Sequence, residues 1–211
     1  MQFVFIQKAL RRIFLLFLSP TQITAIVQDE SLIEAILYWL IIGFFAFGIF
    51  IFGVCRLLYL DGANACQIGF VFRIFFSSHL GFLVGSAALS VIFYGLSRAL
   101  GTSLGLEESI KISCTAHLAL VIPLYVGLTT ASFITYITGW LSPEAMGFTL
   151  LFLLYGIIWS GFVASCLVRS YSKRSMLFSM GLVVLSVLIL FTLNMAVALS
   201  GFFRSFEYAL L

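Results

Sequence analysis

The chain has 211 residues, of which 63% are hydrophobic and only 9% charged, with a mean hydropathy of +1.20 and a formal net charge of +3. A soluble domain carries roughly 25% charged residues, so a water-exposed globule is excluded and the bilayer must be the main solvent. Four scattered cysteines, with no CxxC or metal-type spacing, exclude a disulfide framework and a thiolate metal centre. Cys55, Cys114 and Cys166 fall in or beside apolar runs, and only Cys66 falls in a predicted loop.

Residues 3–18 are apolar and aromatic around Lys8, Arg11 and Arg12. This pattern predicts an amphipathic helix in the membrane interface, its cations meeting lipid headgroups. The apolar run Ile13 to Leu18 is too short for the ~7–15-residue core of a signal peptide. Ser19-Pro20 ends that helix, and Pro20 suits the first turn of a second one over 21–30. Five apolar spans follow, over about 33–58, 74–97, 112–137, 146–168 and 177–202; each meets the ~20-residue length that crosses hydrocarbon as a helix. Asp61, Gly62, Ala63 and Asn64 make the first turn, Arg98 to Lys111 a polar connection, Gly139 to Glu144 a tight turn, and Arg169 to Arg174 a basic loop. The expected architecture is all-α. Residues 1–30 form an interfacial segment that rests on lipid or on protein, and 31–211 form a five-helix transmembrane domain.

With five spans the loops alternate sides. Lys8, Arg11, Arg12, Arg98, Lys111, Arg169, Lys173 and Arg174 then share one side, against Arg56, Arg73 and Arg204 on the other. Cations favour the cytoplasmic face, which predicts a membrane protein with the N-terminus inside and the C-terminus outside.

Mid-span ionisable groups mark ion paths and membrane enzymes, and these spans nearly lack them. His79 and His117 lie at depths that differ by roughly 15–20 Å along their helices, too far apart to share a metal; each reads as a packed residue bonded to a neighbouring helix. Cys114 and His117 share a helix face but lack an orienting acid on that helix. Glu107 and Lys111 have the i, i+4 spacing of a salt bridge, and with Glu108 they read as a solvated helix start. No phosphate loop, HExxH or GxSxG motif is present, nor any nucleic-acid signature.

Small residues carry the assembly signal. Gly81 and Gly85 form a GxxxG, Gly127 and Ala131 repeat the spacing, and Gly156, Ser160 and Ala164 extend it over three turns. Such stripes let helix backbones approach closely, within one chain or against a partner. Pro123 interrupts the third span and is expected to kink it.

The layout resembles the Yip1-domain family of small multi-spanning membrane proteins. Leu16-Phe17-Leu18-Ser19-Pro20 with its short polar helix is similar to the Ser-Pro start of bacterial members. Gly105 through Glu107, Glu108, Lys111 and His117 to Pro123 resembles the family's central element, although Thr115 or His117 stands where a Tyr is usual. The long cytosolic N-terminal region of eukaryotic members is missing, so the resemblance implies a bacterial-type protein of the plasma (inner) membrane, and the eukaryotic link to vesicle traffic and small GTPases is not carried over.

These observations point first to a non-enzymatic membrane protein, a scaffold, assembly factor or accessory subunit of a membrane complex. Its partners would be the lipid bilayer and another membrane protein or a second copy of the chain, with no cofactor and no nucleic acid. The alternative is a small-solute or ion transporter or channel with a polar path by Pro123, Tyr125, Thr129, Thr130 and Asn194. A third reading is an enzyme built on Cys114, His117 or the Glu107/Glu108 pair. Lys8, Arg11, Arg12, Arg169, Lys173 and Arg174 are the expected headgroup contacts.

Overall fold

The structure, a computed structural model, describes the backbone of residues 2–60, 65–138 and 143–210, and the side chains of 7–48, 69, 73, 76–77, 80–81, 83–138 and 143–196. Over these residues it is all-α, with seven helices: α1 (Gln2–Leu18), α2 (Pro20–Asp29), α3 (Leu32–Leu60), α4 (Ala65–Ala99), α5 (Leu106–Thr138), α6 (Pro143–Ser172) and α7 (Met176–Leu210). Three are long and apolar enough to cross a membrane: Leu106–Thr138, Pro143–Ser172 and Met176–Ala196. α3 and α4 contribute the apolar stretches Leu32–Gly48 and Leu83–Ala99.

The helix ends follow local chemistry. Ser19 precedes Pro20 at the first turn of α2. Ser31 and Glu34 form a capping box at the start of α3: the Glu34 amide donates to Ser31 Oγ at 3.3 Å, and the Ser31 amide donates to Glu34 Oε2 at 3.0 Å. α4 ends on Gly101, whose φ of 65° is the left-handed conformation glycine adopts without strain. The Thr102 amide then closes back on Ser97 O at 2.9 Å. Lys173 closes α6 in the same region of backbone space, at φ 54°.

Several helices outrun the apolar segments that announce them. α4 begins at Ala65, so Cys66 lies in a helix rather than a loop. α5 begins at Leu106, so Glu107 and Glu108 occupy its first turn, where carboxylates favour the positive end of the helix dipole. The turn at 61–64, residues 139–142 of the next turn, and the side chains of Cys55, Arg56, Cys66, His79 and Arg204 lie outside the described residues.

α5 is the central helix, packed against α3, α4 and α6, with α7 against α4 and α6. Its Lys111–Ala119 stretch is buried at every position. Ser113, Cys114, Thr115, Ala116 and Ala119 are small there, which lets three neighbours approach at once. α5 continues through Pro123 as one helix.

α1 and α2 are held against protein: Leu16, Ile23 and Val27 are fully buried in the main core, with Tyr38, Leu118 and Leu167. Leu10, Phe14 and Leu18 stay exposed along the other apolar side of α1. Carbonyls at the ends of both short helices find donors on the bundle. Trp159 Nε1 donates to Leu16 O at 2.8 Å, Tyr171 Oη to Val27 O at 3.1 Å and Lys111 Nζ to Glu30 O at 2.5 Å. Such pairing removes the cost of burying orphan helix-end groups.

Candidate functional site

α4 and α7 leave a cleft of about 510 Å³ between them, floored by α5 and bordered by Ser160 of α6. Gly81, Gly85 and Ser86 line it from α4, Ser113 and His117 from α5, and Asn194 from α7. His117 and Ser113 are one turn apart on α5 and so present one face. His117 Nδ1 shares a short hydrogen bond with Ser86 Oγ, and the Trp39 ring stands edge-on to the imidazole at 5.5 Å. Ser90 Oγ donates to Ser86 O at 2.8 Å, which fixes this turn of α4.

Two features of the cleft lack partners. A helical serine commonly satisfies its hydroxyl on the carbonyl four residues back, as Ser109 does on Gly105 O at 2.8 Å and Ser165 on Gly161 O at 2.7 Å. Ser113 does not: it is 1% exposed and its Oγ has no hydrogen-bond partner among the described residues. The glycine face is open as well. Among the described residues, a Cβ placed on Gly81 or Gly85 meets nothing within 4 Å. Between α5 and α6 the same spacing is filled: a Cβ on Gly127 would lie 2.6 Å from Phe152 Cβ, and one on Gly156 2.9 Å from Leu120 O. Ala131 and Ala164 are buried in the same bundle.

The polar path expected around Pro123 is not assembled in one place. Tyr125, Thr129 and Thr130 line a separate, almost wholly apolar cavity of about 730 Å³ between α1, α3 and α5, while Asn194 belongs to the α4–α7 cleft. The Thr129 and Thr130 hydroxyls are taken up by Tyr125 O and Val126 O at 2.8 and 2.9 Å. Pro123 is buried in α5. Cys114 is buried in the core, and His117 is engaged by Ser86. No cluster of three or more metal-ligating side chains occurs among the described residues.

The headgroup cations divide. Lys8, Arg11, Arg169, Lys173 and Arg174 are exposed. Arg12 is the correction: it is 1% exposed and points into the bundle. It pairs with Glu30, donates to Thr115 Oγ1 at 2.9 Å and lies over the Tyr38 ring at 5.3 Å. Thr115 donates onward to Lys111 O at 2.9 Å, and Lys111 pairs with Glu107 at 2.9 Å, as their spacing predicts. Burial holds the Glu30 carboxyl above its ordinary value of 4.5, and the Arg12 guanidinium draws it only part of the way back.

Sequence reasoning did not find Ser86, Ser113 or the depth of Arg12. The signal for Arg12 was present: Ala9, Arg12, Ile13 and Leu16 have the i, i+3, i+4, i+7 spacing of one buried helix face. No family model, curated protein or solved structure matches this chain.

Proposed function

We propose that the chain is a non-enzymatic, five-span membrane protein, N-terminus inside, that docks a transmembrane helix of a partner membrane protein in the α4–α7 cleft. The carrying observation is the Gly81–Gly85 face, unfilled among the described residues, beside the Ser113 hydroxyl, which has no partner among them. In hydrocarbon no water satisfies such a group, and burying it alone costs about 1–3 kcal/mol. A helix seated on the glycines brings a side chain such as Ser, Thr or Asn within reach of Ser113, with Asn194 as the second polar contact. This arrangement is the common grammar of helix association in membranes, small residues for close approach and polar groups for register. The Yip1-like layout fits the same reading, because it too describes a compact bundle with little chain outside the membrane. A solute path has less support, since its expected residues line two separate cavities.

The test places a photo-crosslinking residue at Val84, an exposed position beside Gly85, and maps the crosslinked product by mass spectrometry after extraction in mild detergent. The expected product is one stoichiometric partner attached through a membrane-spanning segment, lost in Gly85→Leu and weakened in Ser113→Ala while both variants elute as folded protein. A chain that crosslinks only to lipid, or only to copies of itself, would overturn the proposal.

A further inference from the structure

Where α4 ends and α7 begins, the fold gathers cations that are far apart in the chain. Arg98 lies in the last turn of α4, and Lys173 and Arg174 lie in the connection from α6 to α7; all three are exposed. Arg174 Nη2 donates at 3.5 Å to Gly101 O, 73 residues away in sequence, and the Gly101 amide donates to Arg98 O at 3.2 Å. Arg169 stands one turn before Lys173, whose amide donates to Arg169 O at 2.9 Å.

Both guanidiniums of this corner turn back onto their own helices. Arg98 lies over the Tyr94 ring at 5.5 Å, and Arg174 over the Phe178 ring at 6.0 Å. Tyr94 belongs to the apolar stretch Leu83–Ala99, and Phe178 to the candidate span Met176–Ala196. The two charges are therefore held at the rim of the apolar belt, the depth of lipid headgroups. A guanidinium stacked on a ring engages its face and leaves its edge, a fixed fork of N–H donors, for oxygen acceptors such as a phosphate. Apart from the Gly101 contact, no hydrogen bond or ion pair takes up the side chains of Arg98, Lys173 or Arg174 among the described residues.

The acids of the described residues at this end of the bundle are engaged or placed elsewhere. Glu30 is held by Arg12 and Glu107 by Lys111, while Glu108 turns back on Gly105. Asp29 and Glu34 stand with Lys8 and Arg11 on the α1–α3 side. That side is balanced in charge, whereas the α4–α7 corner is positive and unopposed. We propose that this corner binds the headgroup of an anionic phospholipid, its phosphate held by Arg98 and Arg174 with Lys173 beside them. Basic side chains next to a membrane span attract anionic lipid, and here two of them are fixed at headgroup depth before the lipid arrives. A zwitterionic head would bring an ammonium with no carboxylate to meet. Inorganic phosphate offers the same oxygens but no acyl chain to keep it at the rim. The site needs α7 embedded in a bilayer but no partner helix in the α4–α7 cleft.

The experiment uses the delipidated full-length protein in mild detergent. Native mass spectrometry and melting curves are compared for phosphatidylglycerol and phosphatidylcholine of identical acyl chains, and for inorganic phosphate. Phosphatidylglycerol should form a 1:1 adduct with about tenfold higher occupancy than phosphatidylcholine, the scale of one charge-assisted hydrogen bond, and should raise the melting temperature; inorganic phosphate should do neither. Arg98→Gln with Arg174→Gln should erase the preference, and Lys8→Gln with Arg11→Gln should keep it. On the unmodified chain, phosphatidylglycerol with a photoreactive group beside its head should attach within 94–103 or 172–178, which locates the site even if a variant fails to fold. Equal adducts for the two lipids would overturn the site, as would attachment confined to other segments, or equal stabilisation by inorganic phosphate. So would an arginine pair variant that elutes as folded protein and keeps the preference; if that variant also lost the partner crosslinked at Val84, the corner would belong to an acidic segment of that partner.

Discussion

Arg12 is a fully buried guanidinium with an acid, a hydroxyl and an aromatic ring around it, and it ties α1 to α2, α5 and α3. Removing one member of such a buried pair strands the other and costs about 3–5 kcal/mol. Arg12→Leu should fall at the lower end, because the stranded Glu30 can take up a proton. Arg12→Leu with Glu30→Leu should recover most of the loss, since an apolar replacement of both partners is often close to neutral; melting temperatures in one detergent measure both. The pH dependence follows from the direction of the Glu30 shift. Its folded-state value lies above 4.5, so the folded chain binds more protons than the unfolded chain between the two values, and stability falls as pH rises through that window. Without Arg12 the main pull downward is gone and the window widens. The Arg12→Leu variant should therefore lose more melting temperature than the parent protein as pH rises from the ordinary carboxylate value toward neutrality; an equal or smaller loss would contradict the assigned cause. That Arg12 faces inward was legible from its spacing with Ala9, Ile13 and Leu16. That Glu30 and Thr115 receive it was not, because 103 residues separate Arg12 from Thr115 and no local pattern spans that distance.

At the scale of the helix, three stripes of small residues that look alike in sequence do different things. Gly127 and Gly156 sit where α5 and α6 press together, and each position has no room for even a methyl group. Gly156→Ala drives Cβ against a backbone carbonyl that cannot rotate away, and overpacking of this kind costs about 1–3 kcal/mol. Gly127→Ala should cost at least as much, since its methyl would lie 2.6 Å from Phe152 Cβ, an atom fixed to the backbone that no rotamer change can move away. Gly85→Ala should leave melting temperature unchanged, because its methyl enters open space. A thermal-shift series over the three alanine variants orders them directly, and a Gly85→Ala loss equal to that of Gly156→Ala would mean that the α4 face is filled within the chain. Sequence spacing marks all three stripes as close-approach surfaces, yet only the packing partner distinguishes them. The helices themselves were largely legible, since apolar run length and the Ser19-Pro20 break place their cores. Their ends were not, because α4 and α5 carry on through polar residues that a hydrocarbon-length criterion discards.

At the scale of the whole molecule, contacts bring the cation-bearing segments to one end of the bundle. Arg174 Nη2 reaches Gly101 O at 3.5 Å, joining the α6–α7 turn to the α4–α5 connection. Lys111 reaches Glu30, and Tyr171 reaches Val27, joining α5 and α6 to the end of α2. These segments are the ones that alternation of five spans assigns to a single side, and any even number of spans before α5, including none, assigns them in the same way. The proposed orientation, drawn from the positive-inside bias, turns that end toward the cytoplasm. Single cysteines introduced at Ser103 and Lys173, both exposed at that end, and at Glu144, exposed at the start of α6, test this in a background from which the four native cysteines have been removed. A membrane-impermeant maleimide added to intact cells should label Glu144→Cys and spare Ser103→Cys and Lys173→Cys, and inside-out vesicles should reverse the pattern. Labelling of Glu144→Cys and Lys173→Cys from the same side would mean that α6 does not cross, and the five-span arrangement would fail. A pattern that is alternating but inverted would keep the alternation and place the Arg12 network on the outer face.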